Sequence, residues 1–380
     1  YSSSIFLPPQ QPISLIFTVS GNLTAKFFGL IAICVVPSSS DFNLKIPQVK
    51  NFPLAYGIRT KNEEILKTSS SGGIFSELAN YALKNNIKIY SCILNEKLEA
   101  VHIRGINEND IKKMRTSKYV ESSLGNILKL MKNDIKNNEK IMLVSSPCYV
   151  ATIKKTFSES ERNQIIWVDF LCHGMPSKKV FQDHIKYLEN LYSSKVIFYS
   201  FRDKRYSWNH DEYIILENKK RKQSVKEVHR YKRLFYLNYS LLSRCFQCKY
   251  TKIKRDTDIT IADFWGVESV LGIVDNKGMS AVLINSVKGK EILEKIKNSL
   301  YTYKVNIEDF KHGPLYQPTE KPKDYDLFWK EYKEKGYLYV SDKYTKIDAK
   351  TIFSTYRRRI AAVLKIEHFL FWIKYKLKRK

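Results

Sequence analysis

The chain has 380 residues, 43% of them hydrophobic, which is enough for a buried core and about two or three domains. With 14 glycines and 11 prolines it is neither collagen-like nor a low-complexity disordered chain. Its net charge of +27 suits an anionic membrane surface, an acidic protein or nucleic acid without choosing among them, and lysines scattered among Asn and Ile on an ordinary solvated surface produce the same sum.

Residues 1–52 differ from the rest, being rich in Ser, Pro and apolar residues and starting at Tyr1. They read as an atypical N-terminal segment, truncated or wrongly assigned at its start. The apolar run Phe27 to Val36 is shorter than the about 20 residues that span a bilayer, yet within signal-peptide range. A targeting segment, an interior element and an aberrant start all account for it.

From Phe52 onward the patterning is regular. "FPLAYGI" and "IKIYSCIL" read as strands, "GGIFSELANYALKNN" and "ILKLMKNDIKNN" as amphipathic helices. "KIMLVSS" then leads into the helix "PCYVATIKKTF", and "QIIWVDF" leads through "LCHGMPS" into "KKVFQDHIKYLENLY". Further strands are "KVIFYSFRD", "DEYIILEN", "DITIADFWG" and "MSAVLINS", the last followed by the helix "GKEILEKIKNSL". This succession predicts an α/β fold, a mainly parallel or mixed sheet flanked by helices, with a cysteine-bearing loop region and a basic C-terminal helix. The expected divisions are 53–137 and 138–340, two α/β parts of which the second carries four cysteines, and a basic amphipathic tail, 341–380. Within the tail, Tyr356 to Lys380 alternate cations with Ile, Leu, Phe and Trp, as in a helix lying in a membrane interface; a terminal helix docked on the core is the plainer reading.

Ligands of α/β proteins bind beyond the carboxyl ends of parallel strands. Cys148, Cys172 and Asp263 each follow a predicted strand. Cys245 and Cys248 form a C-x-x-C, whose spacing turns both sulfurs toward one metal or cluster. Together the four thiolates suffice for a 4Fe-4S cluster or a structural zinc, while Cys148 and Cys172 as small core residues are the bland alternative. Six cysteines are too few for a disulfide-stapled secreted domain, so a reducing compartment, the cytoplasm by default, is expected. Cys34 and Cys92 read as ordinary apolar positions. His173 adjoins Cys172, but neighbouring residues of an extended chain point apart, which argues against a Cys-His nucleophile; a cysteine hydrolase needs another histidine brought in by the fold.

Thr68 to Gly73 lead into a helix, so hydroxyls and backbone N–H groups there could hold a phosphate; a serine N-cap with glycines for the turn fits equally well. Neither a G-x-G-x-x-G nor a Walker lysine is present. The loop Arg115-Thr116-Ser117-Lys118-Tyr119 and the segment Phe201 to Trp208 mix cations with aromatic rings, suited to an anionic cofactor or to a solvated turn.

In order, "SSSGGIFSELANYAL", "RTSKYVESSLG", "SSPCYVATIK", "VDFLCHGMPS", "FRDKRYSW", "RCFQCKYTKIKRDTDITIADFWG" and "DNKGMSAVLIN" resemble the coenzyme F420 hydrogenase/dehydrogenase beta subunit family, from about Phe52 to Leu300. The resemblance implies a flavoprotein that binds FAD and a 4Fe-4S cluster and passes electrons between iron-sulfur centres and coenzyme F420 or another small redox substrate. It carries cluster ligation onto Cys148, Cys172, Cys245 and Cys248. It makes Ser70, Ser71, Gly72, Gly73, Lys118 and Tyr119 candidates for the flavin or substrate pocket, and gives Asp258 and Asp263 a choice between a ribityl or ribose hydroxyl and the capping of a turn. The family's N-terminal ferredoxin-like cysteine runs are missing here, which implies a separate ferredoxin or other iron-sulfur protein as partner, or a lost N-terminus. Nothing asks for a specific nucleic acid. The alternative function is a non-enzymatic protein, stabilised by zinc or a cluster and associated with an anionic membrane surface.

Overall fold

The computed structural model describes residues 52–346 apart from 205–207, 209, 210 and 224, together with scattered positions between 353 and 377. The apolar run Phe27 to Val36 and most of the basic tail lie outside the described residues. Eleven strands are found among them: β1 Leu54–Thr60, β2 Lys88–Leu94, β3 Ala100–Gly105, β4 Ile141–Val144, β5 Ile165–Phe170, β6 Val196–Asp203, β7 Asp211–Leu216, β8 Arg221–Gln223, β9 Ile259–Asp263, β10 Ser280–Ile284 and β11 Leu300–Val305. Eight form one sheet in the order β11-β1-β10-β9-β5-β4-β2-β3, and β6-β7-β8 form a second. Strands from both sides of residue 138 share the larger sheet.

Parallel pairing is confined to the centre, β2 with β4, β4 with β5 and β5 with β9. The other pairs of that sheet are antiparallel. The difference follows from the connections. Helices 127–136 and 147–154 fill the crossovers into β4 and β5, whereas the short link 95–99 between β2 and β3 can only return the chain antiparallel. β4 is buried along its whole length, as a central strand covered on both faces should be.

Two apolar layers cover the sheet. Leu78 and Ala82 of helix Ile74–Lys84, with Ile292 and Leu293 of helix Val287–Ile296, pack on Ile58, Ile89, Met142, Val168 and Val282. On the other face Ile127 and Met131 of helix Ile127–Lys136, with Val150 and Ile153 of helix Pro147–Lys154, pack on Leu143, Ile165 and Trp167. A third cluster joins β6 and β7 to helices Lys178–Tyr192, Lys226–Tyr236 and Tyr325–Tyr344. The parallel centre sends the carboxyl ends of β4, β5 and β9 to one edge, which is where the chemistry-bearing residues emerge.

Candidate functional site

Cys148 is the second residue of helix Pro147–Lys154, whose first position is a proline with its φ already suited to a helix start. Cys172 lies two residues beyond β5, the parallel neighbour of β4, so the two thiols leave the sheet side by side. Cys245 sits in the 3-10 turn Ser243–Gln247 and Cys248 ends it. That turn is fastened to the segment after Cys172: Leu242 N–H donates to the Met175 carbonyl at 2.9 Å, and Ser177 N–H to that of Ser240 at 2.7 Å. All four cysteines line one cavity of about 190 Å³. The Met175 N–H donates to the Cys245 sulfur at 3.3 Å, and the Gly174 backbone to the Cys172 sulfur.

Burial, followed by the nearness of Cys148 and Cys245, pushes the Cys172 thiol up to about 12. A thiol buried so ionises only where a cationic centre takes up its charge. Behind them, Arg255 Nη1 donates to Asp169 Oδ2 at 3.2 Å, with both side chains buried. Arg255 also lines the cavity, and its buried Nε has no partner. An all-thiolate donor set, two N–H groups aimed at sulfur and an unpartnered buried donor fit a 4Fe-4S cluster. Among the described residues no three Cys, His, Asp or Glu side chains close into a group for one metal ion.

A larger cleft of about 370 Å³ adjoins this cavity, and the segment Cys172–Met175 and Pro314 line both. Ser70, Ser71 and Gly73 of the serine-glycine loop line the cleft, and Gly72 does not. Ser70 Oγ accepts from Ser117 N at 2.9 Å, Ser71 Oγ donates to the Met279 carbonyl at 2.6 Å, and Gly72 N donates to Ser280 Oγ at 2.9 Å. Helix Ile74–Lys84 is preceded by Gly73 at φ 90° with no side-chain cap, so the serine N-cap that the sequence allowed is not formed. A Cβ on Gly72 would stand 2.2 Å from the Ile58 carbonyl oxygen and 2.5 Å from Ser280 N, both backbone atoms that cannot swing away. Gly72→Ala is therefore expected to cost about 3 kcal/mol or more, read as a lower unfolding midpoint in urea; an unchanged midpoint would contradict the tight approach.

The other predicted cleft residues have distinct fates. Lys118 lines the cleft, but its ammonium sits 2.7–3.0 Å from the carbonyl oxygens of Lys113, Met114, Arg115 and Thr116, which share its three N–H donors, closing the end of helix Glu108–Met114. Burial lowers its pKa to about 8. Tyr119 stacks on Phe235 with ring centres 4.8 Å apart. Asp263, the last residue of β9, holds Arg202 Nη1 at 2.5 Å, while the Arg202 guanidinium lies over the Trp265 ring and keeps a buried Nη2 without a partner. Asp258 lies at the far end of β9, accepting from Trp167 N at 2.8 Å and Ser286 Oγ at 2.6 Å, so of its two readings the structural one holds. His173 pairs with Asn238 at 2.7 Å. Lys204, in the segment read as a ligand-gripping stretch, instead donates to the carbonyls of Leu66, Ser71 and Lys277. Cys92 also borders the cleft and is not purely a core position.

Several cleft residues carried no local signal. Phe235 and Tyr236 end the amphipathic helix Lys226–Tyr236, where aromatic residues read as core. His102 reaches the cleft from β3, its Nε2 2.9 Å from Ser145 Oγ, and burial pushes its pKa down to about 4. Trp265 follows the "DITIAD" strand and could have been singled out with Asp263.

Fold and site thus define a mixed α/β protein in which a cysteine-lined pocket and an aromatic cleft share a wall at the carboxyl edge of the sheet. Residues 138–309 match the family model for the C terminus of the coenzyme F420 hydrogenase/dehydrogenase beta subunit, a stretch that contains all four cysteines. The likeness to that family covers somewhat under half of the chain. Among solved structures it is similar to a chain of the F420-reducing NiFe hydrogenase complex from Methanosarcina barkeri, at 19% identity and a TM-score of 0.47, over 77% of this chain and 90% of that one. No curated protein matches.

Proposed function

We propose that the chain is a flavin- and iron-sulfur-dependent oxidoreductase subunit that moves electrons between a ferredoxin-like donor and coenzyme F420 or another small redox substrate. The observation that carries this reading is the wall Cys172–Met175, common to the thiol pocket and the cleft. Cys148, Cys172, Cys245 and Cys248 would hold a 4Fe-4S cluster and the cleft FAD, which when bound supply one-electron and hydride chemistry respectively. The chain's own share is positioning. The serine-glycine loop is held rigid from Met279 and Ser280, and Asp263 holds Arg202 in place at the cleft. Thiols that surround a cavity without closing on one point favour a cluster over zinc, whose four sulfurs must each lie about 2.3 Å from one ion. Exposed Arg244, Lys249, Lys252 and Lys254 lie on the turn that carries Cys245 and Cys248 and on the segment just after it, which suits an acidic iron-sulfur partner.

The test is metal, sulfide and flavin analysis of anaerobically prepared full-length chain. About four irons and one FAD per chain, with a brown-yellow absorption that bleaches on reduction, are expected. A colourless protein with stoichiometric zinc overturns the proposal.

A second reading, a non-enzymatic protein at an anionic membrane surface, has its own observation. Phe353, Leu364, Phe369 and Leu377 of the basic tail are each at least 58% exposed. No helix among the described residues is long and apolar enough to cross a membrane. Peripheral contact at the inner face of the cell membrane, with the body in the cytoplasm, is compatible with either reading. If the tail binds, removing residues 356–380 should abolish sedimentation with vesicles containing phosphatidylserine; retained sedimentation would exclude it.

A further inference from the structure

We infer that Arg255 is a positioning residue of the thiol pocket, one that raises the reduction potential of a cluster held there; this rests on the function proposed above. Arg255 lies between the C-x-x-C turn and β9, its side chain only 3% exposed, and it lines the cavity with all four cysteines. It is gripped from behind by Asp169, on β5 three positions before Cys172. The grip is itself braced. Asp169 Oδ1 accepts from Thr257 Oγ1 at 3.2 Å and Thr260 Oγ1 at 2.5 Å, and Asn285 donates to both threonines. The carboxylate thus has little freedom to turn, and the planar guanidinium bonded to it has little either.

A pair built only for stability would have its donors spent. Here the Nε–H of Arg255 is buried and unpartnered, an arrangement that costs free energy unless an acceptor arrives. The acceptors that the cavity is built to gather are sulfurs. A cluster gains negative charge on reduction, so a cation and an N–H donor beside it favour the reduced form and raise its potential. Gly174 and Met175 give N–H donors from the backbone, and Arg255 is the one side chain of the cavity that combines buried charge with an unused donor among the described residues.

The experiment uses the full chain, anaerobically reconstituted with iron and sulfide, in Arg255→Lys and in the double variant Asp169→Asn with Arg255→Gln. The double variant removes both members of the pair, so no carboxylate is left stranded. Iron and sulfide content and an EPR-monitored redox titration are read, with thermal unfolding of the metal-free protein as a check on folding. Both variants are expected to keep their iron while the reduced-to-oxidised ratio at fixed potential falls about tenfold in the double variant, equivalent to about 59 mV for one electron, and by less in Arg255→Lys. A loaded cluster with an unmoved potential in both variants overturns the role of Arg255 alone, as does loss of iron from both. A parent chain that takes up no iron overturns the proposed function instead.

Discussion

Alanine in place of Cys172 is expected to empty the proposed cluster site of iron without unfolding the chain. Cys172 borders both the thiol pocket and the cleft, at the exit of the central strand β5. Its loss leaves three thiolates where a cluster requires four, and water or hydroxide is a poor substitute for a soft sulfur ligand. Iron should fall from about four per chain to under one, and reduction of bound flavin by a ferredoxin-type donor should slow by at least about 100-fold, since loss of even an outer-shell partner of a ligand costs about 10- to 100-fold. The fold should survive because the change removes one sulfur and the sheet around β5 keeps its pairings with β4 and β9. Cys92→Ala is the control for iron content alone, since Cys92 lies in β2 and borders the cleft but is absent from the thiol pocket. Full iron in Cys172→Ala, or equal loss in Cys92→Ala, would contradict the assignment.

Glutamine in place of Glu212 is expected to stabilise the protein at alkaline pH. Glu212 sits on β7 with no exposed surface, accepting from Tyr199 Oη at 2.8 Å, and its Oε2 has no partner. Burial pushes its pKa up to about 8, opposed by Lys232 and the Tyr199 hydrogen bond. The folded state therefore holds a proton that the unfolded chain releases once pH passes the ordinary value of 4.5. Stability is full below that value and falls as pH rises toward 8, by about 1.4 kcal/mol per pH unit across the window. Glutamine mimics the neutral acid and removes the slope. Denaturant unfolding at pH 5 and pH 8 measures it: the variant and parent should differ by under about 1 kcal/mol at the lower pH and by a few at the higher one. Parallel curves would show that Glu212 is ionised in the fold at neutral pH.

Tyr199, His184 and Tyr337 surround the same region. His184 is fully buried, its Nδ1 2.7 Å from Tyr337 Oη, and burial followed by Arg230 depresses its pKa to about 3. Below pH 6.5 the unfolded chain therefore takes up a proton on His184 that the fold does not, a contribution common to parent and variant that cancels in their difference.

Much of the fold was legible because its signals are local. The apolar runs "IMLV" and "IIWVDF", the periodic helix "IFSELANYALK" and the breaks between them place β4, β5 and helix Ile74–Lys84 to within a residue or two of the readings. The four thiols were legible for a related reason: two stand just past central strands and two share a C-x-x-C, so strand direction and turn spacing suffice to gather them. Of the mainly parallel and mixed sheets expected, the mixed one is found, and the choice was not legible because the same alternation serves β1, β10 and β11, whose antiparallel neighbours are set by the path of the chain.

Local pattern was enough for the α/β class, for the strand ends that bear Cys148, Cys172 and Asp263, and for a serine-glycine loop leading into a helix. Only the tertiary structure decided that Lys118 is spent on its own helix end, that Gly73 rather than a serine precedes helix Ile74–Lys84, and that Asp169 and Arg255 meet behind the thiols. It also decided that one short segment, Cys172–Met175, walls both cavities. The reason is physical. Hydrophobic periodicity and turn chemistry act over a few residues, whereas the partners of a buried charge are selected by which distant strands the core brings together, and that choice leaves no local trace.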